Sequence, residues 1–65
     1  MYKVIVTKLG QETKQFCAET VGGAVTQYGD YSGYLLTLDG ETASREDRLT
    51  KDDQAIIIGE KCKGA

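Results

Sequence analysis

The side chains that could do chemistry in this chain are few, and histidine is absent from its 65 residues. Without histidine there is no imidazole general base, no Ser-His-Asp triad and no zinc site of the usual cysteine–histidine type. The two cysteines, Cys17 and Cys62, lie far apart in the sequence and form no CxxC pair. The sequence therefore predicts a protein that is not an enzyme by itself and that uses no cofactor and no metal ion.

Two acidic pairs and one flanked thiol are the remaining candidates for reactive groups. The pairs are 46–47 and 52–53, and metal binding or acid–base chemistry is one interpretation of them. The interleaved basic residues Arg45, Arg48 and Lys51 favour the other interpretation, a solvated loop of mixed charge. Cys62 lies between two lysines, which favour a thiolate, but an incidental position near the end of the sequence is the favoured interpretation.

Three tyrosines, at positions 28, 31 and 34, indicate an aromatic cluster where the predicted helix ends. Tyr28 is assigned to the core. Tyr31 and Tyr34 are candidates for contacts with a partner, because tyrosine is enriched at interface hot spots. The favoured alternative is that they cover an open end of the core.

Charge and size exclude further classes of protein. The eight basic and ten acidic residues give a net charge of −2, which offers no electrostatic footprint for nucleic acid. No apolar run approaches the roughly 18 residues of a membrane span, and the opening MYKVIVTKLG lacks the layout of a signal peptide. We therefore expect one small cytoplasmic domain, and its 40% apolar residues suffice to attempt a core.

The first half of the sequence predicts a hairpin followed by one helix. Residues 2–9 and 12–19 are strand-like, and Gly10 can supply the positive φ of a tight turn between them. The first strand has apolar residues on both faces, which suits a central position in a sheet. Thr20 is a good helix N-cap, and Gly29 stands where a left-handed C-cap belongs. The apolar helix face consists of Val21, Ala24, Val25 and Tyr28.

Gly22 and Gly23 fall in the first turn of that helix, where each costs about 1 kcal/mol relative to alanine. Either they weaken the helix, or they let its start lie close against another backbone segment. Anion binding at this helix start is a further interpretation, but no GxGxxG or Walker spacing supports it.

The second half of the sequence predicts three strands. Residues 34–38 form a strand, Asp39-Gly40 is a strong hairpin signal, and the chain continues as a strand through residues 41–44. Residues 45–53 are polar apart from Leu49, so we expect a surface connection with one apolar anchor. The last strand covers residues 54–58.

The resulting order, strand–strand–helix–strand–strand–strand, is that of the β-grasp fold, and the chain resembles ubiquitin-like proteins. Its second half is most similar to the small sulfur-carrier proteins of thiamin and molybdopterin biosynthesis. YLLTLDGE at 34–41 resembles their strand and NGE-type turn, and LTKDDQAIII at 49–58 resembles their L-x-x-G-D-x-V-x-I segment. The resemblance implies an α+β fold in which a mixed sheet of four or five strands packs on one helix.

The resemblance also sets the expected limits of the domain, with residues 1–60 folded and residues 61–65 forming a flexible C-terminal tail. In a β-grasp sheet the first strand separates the second from the last. Cys17 and Cys62 would then lie about 9.6 Å apart, beyond the ~7 Å that a disulfide allows. Pattern and resemblance together predict a core of Val4, Val6, Val21, Val25, Leu36, Leu38, Leu49, Ile56 and Ile58.

The function implied by the resemblance belongs to the tail. Family tails enter an ATP-dependent activating enzyme, which adenylates the terminal carboxylate and then converts it to a thiocarboxylate. The tail here consists of Lys61, Cys62, Lys63, Gly64 and Ala65, and it ends in Gly-Ala where the family ends in Gly-Gly. The alternative is a non-catalytic protein-binding module with an inert tail, such as a regulator, an inhibitor or a phage-type accessory protein. A third possibility is a structural piece of a larger assembly.

Overall fold

The computed structural model describes residues 1–61 and contains one helix and five strands in the predicted order. The elements are β1 (Tyr2–Lys8), β2 (Lys14–Ala18), α1 (Val21–Tyr28), β3 (Tyr34–Leu38), β4 (Glu41–Ala43) and β5 (Gln54–Lys61). Together they form an α+β fold, in which the single helix packs on one face of a mixed five-stranded sheet. The predicted fold class is confirmed at this level.

The strands lie in the order β2-β1-β5-β3-β4. β1 and β5 are parallel, with Val6 opposite Ile56, and all other neighbouring strands are antiparallel. The interior position of β1 confirms the prediction from its apolar residues on both faces. Both hairpin turns use the predicted glycine in a left-handed conformation, with φ of 82° at Gly10 and 87° at Gly40.

The core lies between α1 and the sheet, and the pattern of apolar residues predicted most of it. Leu38 is the exception, because it is only half-buried near the end of β3. Two alanines, Ala18 and Ala24, join the core because their small side chains fit where α1 approaches β2. The buried apolar residues are Val4, Val6, Ala18, Val21, Ala24, Val25, Leu36, Leu49, Ile56 and Ile58.

The helix begins as predicted and ends differently. Thr20 is the N-cap, and its Oγ1 accepts a hydrogen bond from the Gly23 N–H at 3.1 Å. Gly29 is the C-cap, and its N–H donates to the Val25 carbonyl. Its φ of 168° is extended, so the prediction of a left-handed cap was wrong. The reason for glycine here is space, because a Cβ would lie 2.8 Å from Cε2 of Tyr31.

Residues 44–49 follow the edge strand β4 and cross the start of α1. There they form hydrogen bonds with the segment that follows β2, the strand at the opposite edge of the sheet. Leu49 is buried, which confirms it as the apolar anchor of this connection. A Cβ at Gly22 would lie only 2.8 Å from the Arg45 carbonyl oxygen, so the predicted close approach of two backbones is confirmed. Three hydrogen bonds of 2.9 Å join the segments: Leu49 N–H to Glu19 C=O, Val21 N–H to Asp47 C=O, and Gly22 N–H to Arg45 C=O.

Asp39 ties the β3–β4 turn to the start of β5. Its carboxylate accepts hydrogen bonds from the Ala55 N–H at 3.0 Å and from Nε2 of Gln54 at 3.1 Å. Gln54 is itself buried, and its Oε1 accepts from the Thr50 N–H at 2.8 Å. These hydrogen bonds, that of Ala55 foremost, hold the pKa of the Asp39 carboxyl below its usual range. The fold therefore favours the ionised form of Asp39.

We predict that Gly22→Ala lowers the free energy of unfolding by about 1–3 kcal/mol, because the new methyl group overlaps the Arg45 carbonyl. Gly23→Ala is the matched control in the same turn of α1, since its Cβ meets no backbone atom but only the side chains of Thr20, at 3.2 Å from Oγ1, and Ala18, at 3.7 Å from Cβ. There the gain in helix propensity offsets the tighter contact, and stability stays near that of the wild type. Denaturant unfolding of both variants measures the difference. Equal loss in both would contradict the backbone contact.

We predict that the stability conferred by ionised Asp39 is fully present above its unfolded pKa, near 3.8, and is lost as the pH falls through its lower folded pKa. Asp39→Asn tolerates the positive φ but removes the charge, so it should flatten the acid limb of the stability curve. Asp53→Asn is the control, because Asp53 is exposed and also has a positive φ of 63°. Urea unfolding between pH 2 and 6 measures the slopes. An unchanged slope in Asp39→Asn would contradict this role.

Candidate protein-interaction site

The strands and the helix give the domain two distinct ends. We call the end of the domain at which β1, α1 and β5 begin the first end. The second end is the opposite one, at which these three elements terminate. The predicted aromatic cluster lies at the second end, where four rings follow one another. Phe16 meets Tyr28 edge-on, Tyr28 lies 5.7 Å from Tyr31, and Tyr31 meets Tyr34 edge-on at 5.1 Å between centroids.

Two lysine side chains lie over the tyrosine rings. Nζ of Lys8 is 5.3 Å from the ring centroid of Tyr34 and 5.8 Å from that of Tyr31. Nζ of Lys14 is 5.8 Å from the centroid of Tyr28. These distances are typical of cation–π contacts. We call Lys8, Lys14, Tyr28, Tyr31 and Tyr34 the tyrosine–lysine cluster.

The cluster covers one end of the core and anchors the β1–β2 turn. All three tyrosines are half-buried against core residues, which supports the interpretation as a cover. The Tyr28 hydroxyl donates to the Glu12 carbonyl at 2.6 Å, and the Tyr31 hydroxyl donates to Oε1 of Gln11 at 3.3 Å. An open cavity of about 300 Å³ lies beside them, lined by Gln11, Glu12, Lys14 and Tyr28. The predicted contact residues Tyr31 and Tyr34 are therefore brought together with two cations that the sequence did not single out.

The predicted tail begins next to this cluster. Lys61, its first residue, is the last residue of β5 and pairs with Tyr34 of β3. β5 thus runs three residues beyond the predicted strand end at Ile58, and it includes one residue that was assigned to the tail. Cys62, Lys63, Gly64 and Ala65 lie outside the described residues, so the predictions for the chemistry of the tail stay predictions.

The sheet face opposite the helix carries exposed apolar side chains. Ile57 of β5 is 41% exposed and Leu35 of β3 is 44% exposed. Leu35 lies against the position where Gly59 has no side chain, since a Cβ there would be 3.6 Å from Cδ2 of Leu35. Ile5 and Ala55 lie opposite each other in the register and continue this face, which we call the open sheet face.

The alternative of a binding module included the sheet surface as its contact, but none of the residues of the open sheet face was predicted as a site residue, although the sequence contains the signal. Ile56, Ile57 and Ile58 are consecutive, and in a strand consecutive side chains point to opposite faces. Ile56 and Ile58 are buried under the helix, so Ile57 must point away from it.

The helix start offers no free donor for an anion. All four N–H groups of its first turn already donate: Val21 to Asp47 C=O, Gly22 to Arg45 C=O, Gly23 to Thr20 Oγ1, and Ala24 to Thr20 C=O. Gly22 therefore serves the backbone approach, and the described donors of this helix start leave no N–H for an anion.

One carboxylate of each acidic pair accepts a hydrogen bond from the backbone, that of Asp47 within its own loop and that of Asp52 from β1. Oδ2 of Asp47 accepts from the Ser44 N–H at 3.0 Å, and Oδ1 of Asp52 accepts from the Lys3 N–H at 3.0 Å. Within residues 1–61, no three acidic or cysteine side chains come together as a metal site would require. Cys17 is exposed on β2.

In the part of the chain that the structure describes, no helix has the length and apolar character needed to cross a membrane. Comparison of the chain with protein-family models, with curated proteins and with solved structures gave no match in any of the three.

Proposed function

We propose that this chain is a ubiquitin-like protein of the β-grasp type that has no catalytic activity of its own and acts by binding a protein partner. The observation that carries the proposal is the open sheet face, where Ile57 of β5 and Leu35 of β3 are exposed on adjacent strands, Thr37 lying directly opposite Ile57 and Leu35 against Gly59. Exposed apolar surface of this kind marks interaction sites on small soluble proteins.

The sheet topology supports the β-grasp assignment. β1 lies between β2 and β5, which is the arrangement that the resemblance implies for the first, second and last strands. One helix follows the first hairpin and packs on one face only, so the other face is left for a partner.

Charge defines the kind of partner that fits this face. Lys3 is the charged residue of β1 that shares the register of Ile5, so it lies at one end of the open sheet face. Glu41 pairs with Leu38 and belongs to the opposite register. A complementary partner therefore presents an apolar centre with an acidic side chain at the Lys3 end.

The strand edges are less available to a partner than the open sheet face. On β2, Nε2 of Gln27 donates to the Cys17 carbonyl at 2.9 Å and occupies one of the free edge groups. The other edge strand, β4, has only three residues. Binding by strand addition would have few backbone groups to use at either edge.

We predict that Ile57→Asp weakens partner binding about tenfold or more, because it places a charge in the apolar centre of the contact. Leu9→Asp is the matched control, since Leu9 is 72% exposed in the β1–β2 turn, away from the open sheet face. The immobilised wild type and both variants would capture proteins from the source cell for quantitative mass spectrometry. The dissociation constant of the purified partner would then be measured by calorimetry. A partner that binds the wild type and Ile57→Asp equally would refute the proposal.

The second candidate is the narrower function implied by the resemblance, a sulfur carrier or modifier whose tail enters an ATP-dependent activating enzyme. The position of β5 favours it. An interior strand fixed on both sides by β1 and β3 carries the chain to the second end, so the start of the tail has a defined place beside Tyr34. In this reaction the terminal carboxylate attacks the α-phosphate of ATP and releases pyrophosphate. A sulfur donor then displaces AMP.

We predict for this candidate that a sulfur-carrier activating enzyme and ATP support pyrophosphate exchange and a thiocarboxylate product, detected by mass spectrometry. Ala65→Gly restores the terminal glycine of the family and should increase the yield. Deletion of Gly64 and Ala65 should abolish the product and weaken binding of the enzyme. If even Ala65→Gly gives no product, the carrier function is excluded. Unchanged partner affinity after the deletion would favour the binding module with an inert tail.

A further inference from the structure

The charges of this protein are unevenly divided between its two ends. The second end has three carboxylates and three lysines among the described residues: Glu12, Asp30 and Glu60, with Lys8, Lys14 and Lys61. At the first end seven carboxylates outnumber the four cationic side chains of Lys3, Arg45, Arg48 and Lys51; the carboxylates belong to Glu19, Asp39, Glu41, Glu46, Asp47, Asp52 and Asp53. This negative excess disfavours an acidic ligand at the first end, whereas the charges of the second end balance.

The two ammonium groups of the tyrosine–lysine cluster lie over aromatic rings. The rings of Tyr34 and Tyr31 both contact Lys8, and their planes differ by 88°. Lys14 is exposed and lies over Tyr28, whose hydroxyl donates to the Glu12 carbonyl. A lysine that already contacts a ring loses less conformational freedom on pairing with an anion than one extended into solvent.

We propose that the tyrosine–lysine cluster is a second interaction surface, independent of the open sheet face, that binds an acidic segment of a protein partner. Carboxylates of the segment pair with Lys8 and Lys14 on the sides of the ammonium groups that face away from the rings. Side chains next to these carboxylates pack on Tyr31 and Tyr34 and in the cavity between Tyr28 and Gln11.

The geometry favours an acidic peptide over other ligands. A cationic ligand would have to displace Lys8 from the rings of Tyr31 and Tyr34 that it already contacts. Nucleic acid requires a row of cations along its phosphates, and this cluster supplies two cations on a chain of net charge −2. Side-chain carboxylates separated by apolar atoms fit two isolated cations and the rings between them.

Glu12 lines the same cavity as Lys14, and its negative charge repels an acidic segment placed there. Removing this charge should therefore increase the affinity for an acidic peptide, which gives the proposal a second test. Replacing Glu12 with glutamine removes the charge and retains the shape, and its backbone carbonyl still accepts the hydrogen bond from Tyr28.

The experiment uses hexaglutamate peptide as the probe and amide chemical shifts of the isotope-labelled full chain as the readout, at low ionic strength. The largest shifts are expected in residues 8–14 and 28–34, with saturation at a single site. Lys8→Gln and Lys14→Gln should each weaken binding about threefold, as expected for one exposed charge pair. Lys8→Arg, which retains the charge and stacks on the rings, should bind like the wild type. Glu12→Gln should bind about threefold more tightly.

Lys3→Gln is the matched control, since Lys3 is an exposed lysine at the opposite end of the same strand as Lys8. The proposal is overturned if Lys3→Gln weakens binding as much as Lys8→Gln, or if the shifts spread over all lysines. Equal binding of hexathymidylate would show a general attraction for polyanions and would overturn it as well. Because Ile57→Asp leaves the cluster intact, binding of hexaglutamate by that variant separates this proposal from that of the open sheet face.

Discussion

The parallel pairing of β1 with β5 is the contact on which the rest of this structure depends. It joins Val4 to Gln54 and Lys8 to Ile58, so it closes a loop that contains nearly all the other elements. Parallel neighbours cannot be joined by a tight turn, and the long connection has a large entropic cost that only burial can offset. Val4, Val6, Ile56 and Ile58 supply that burial, since all four are fully inaccessible under the helix.

The close approach at Gly22 explains how so small a chain covers that central pair. The 44–49 connection must return from the edge strand β4 to β5, and it passes over the start of α1 with its carbonyls accepting from the first helical N–H groups. The hydrogen bonds that satisfy the N–H groups at the start of α1 therefore also hold the 44–49 connection in place. Buried Leu49 fixes the connection on the core, and Asp39 fixes the turn beside it. The tightest constraints of the described chain thus gather at the first end.

Local pattern predicted the elements, because turns, caps and strand periodicity depend on neighbouring residues. Thr20, Gly10 and Asp39-Gly40 are residue types typical of the conformations they adopt. The core needed the resemblance as well, because the first strand has apolar residues on both faces and alternation alone does not choose Val4 and Val6 over Ile5. What failed depended on contacts that residue types alone do not reveal. A Cβ at Gly29 would meet the Tyr31 ring, so this glycine provides space and not a left-handed cap, and the extension of β5 to Lys61 follows from its pairing with Tyr34. Lys8 and Lys14 joined the candidate site only through tertiary packing, because nothing in a single lysine indicates the ring above which it lies.

The two ends of the domain are stabilised by different interactions, and this difference affects which surfaces are exposed to a partner. The first end is held by backbone hydrogen bonds and by the buried amide of Gln54. The second end is held by aromatic side chains, whose outer surfaces remain half-exposed while their inner surfaces pack on the core. Aromatic residues can serve both roles because a ring presents two sides and carries its contact area with little rotamer entropy. Backbone hydrogen bonds thus stabilise one end of the domain, and half-exposed aromatic side chains cover the core at the other, where we propose that a partner binds.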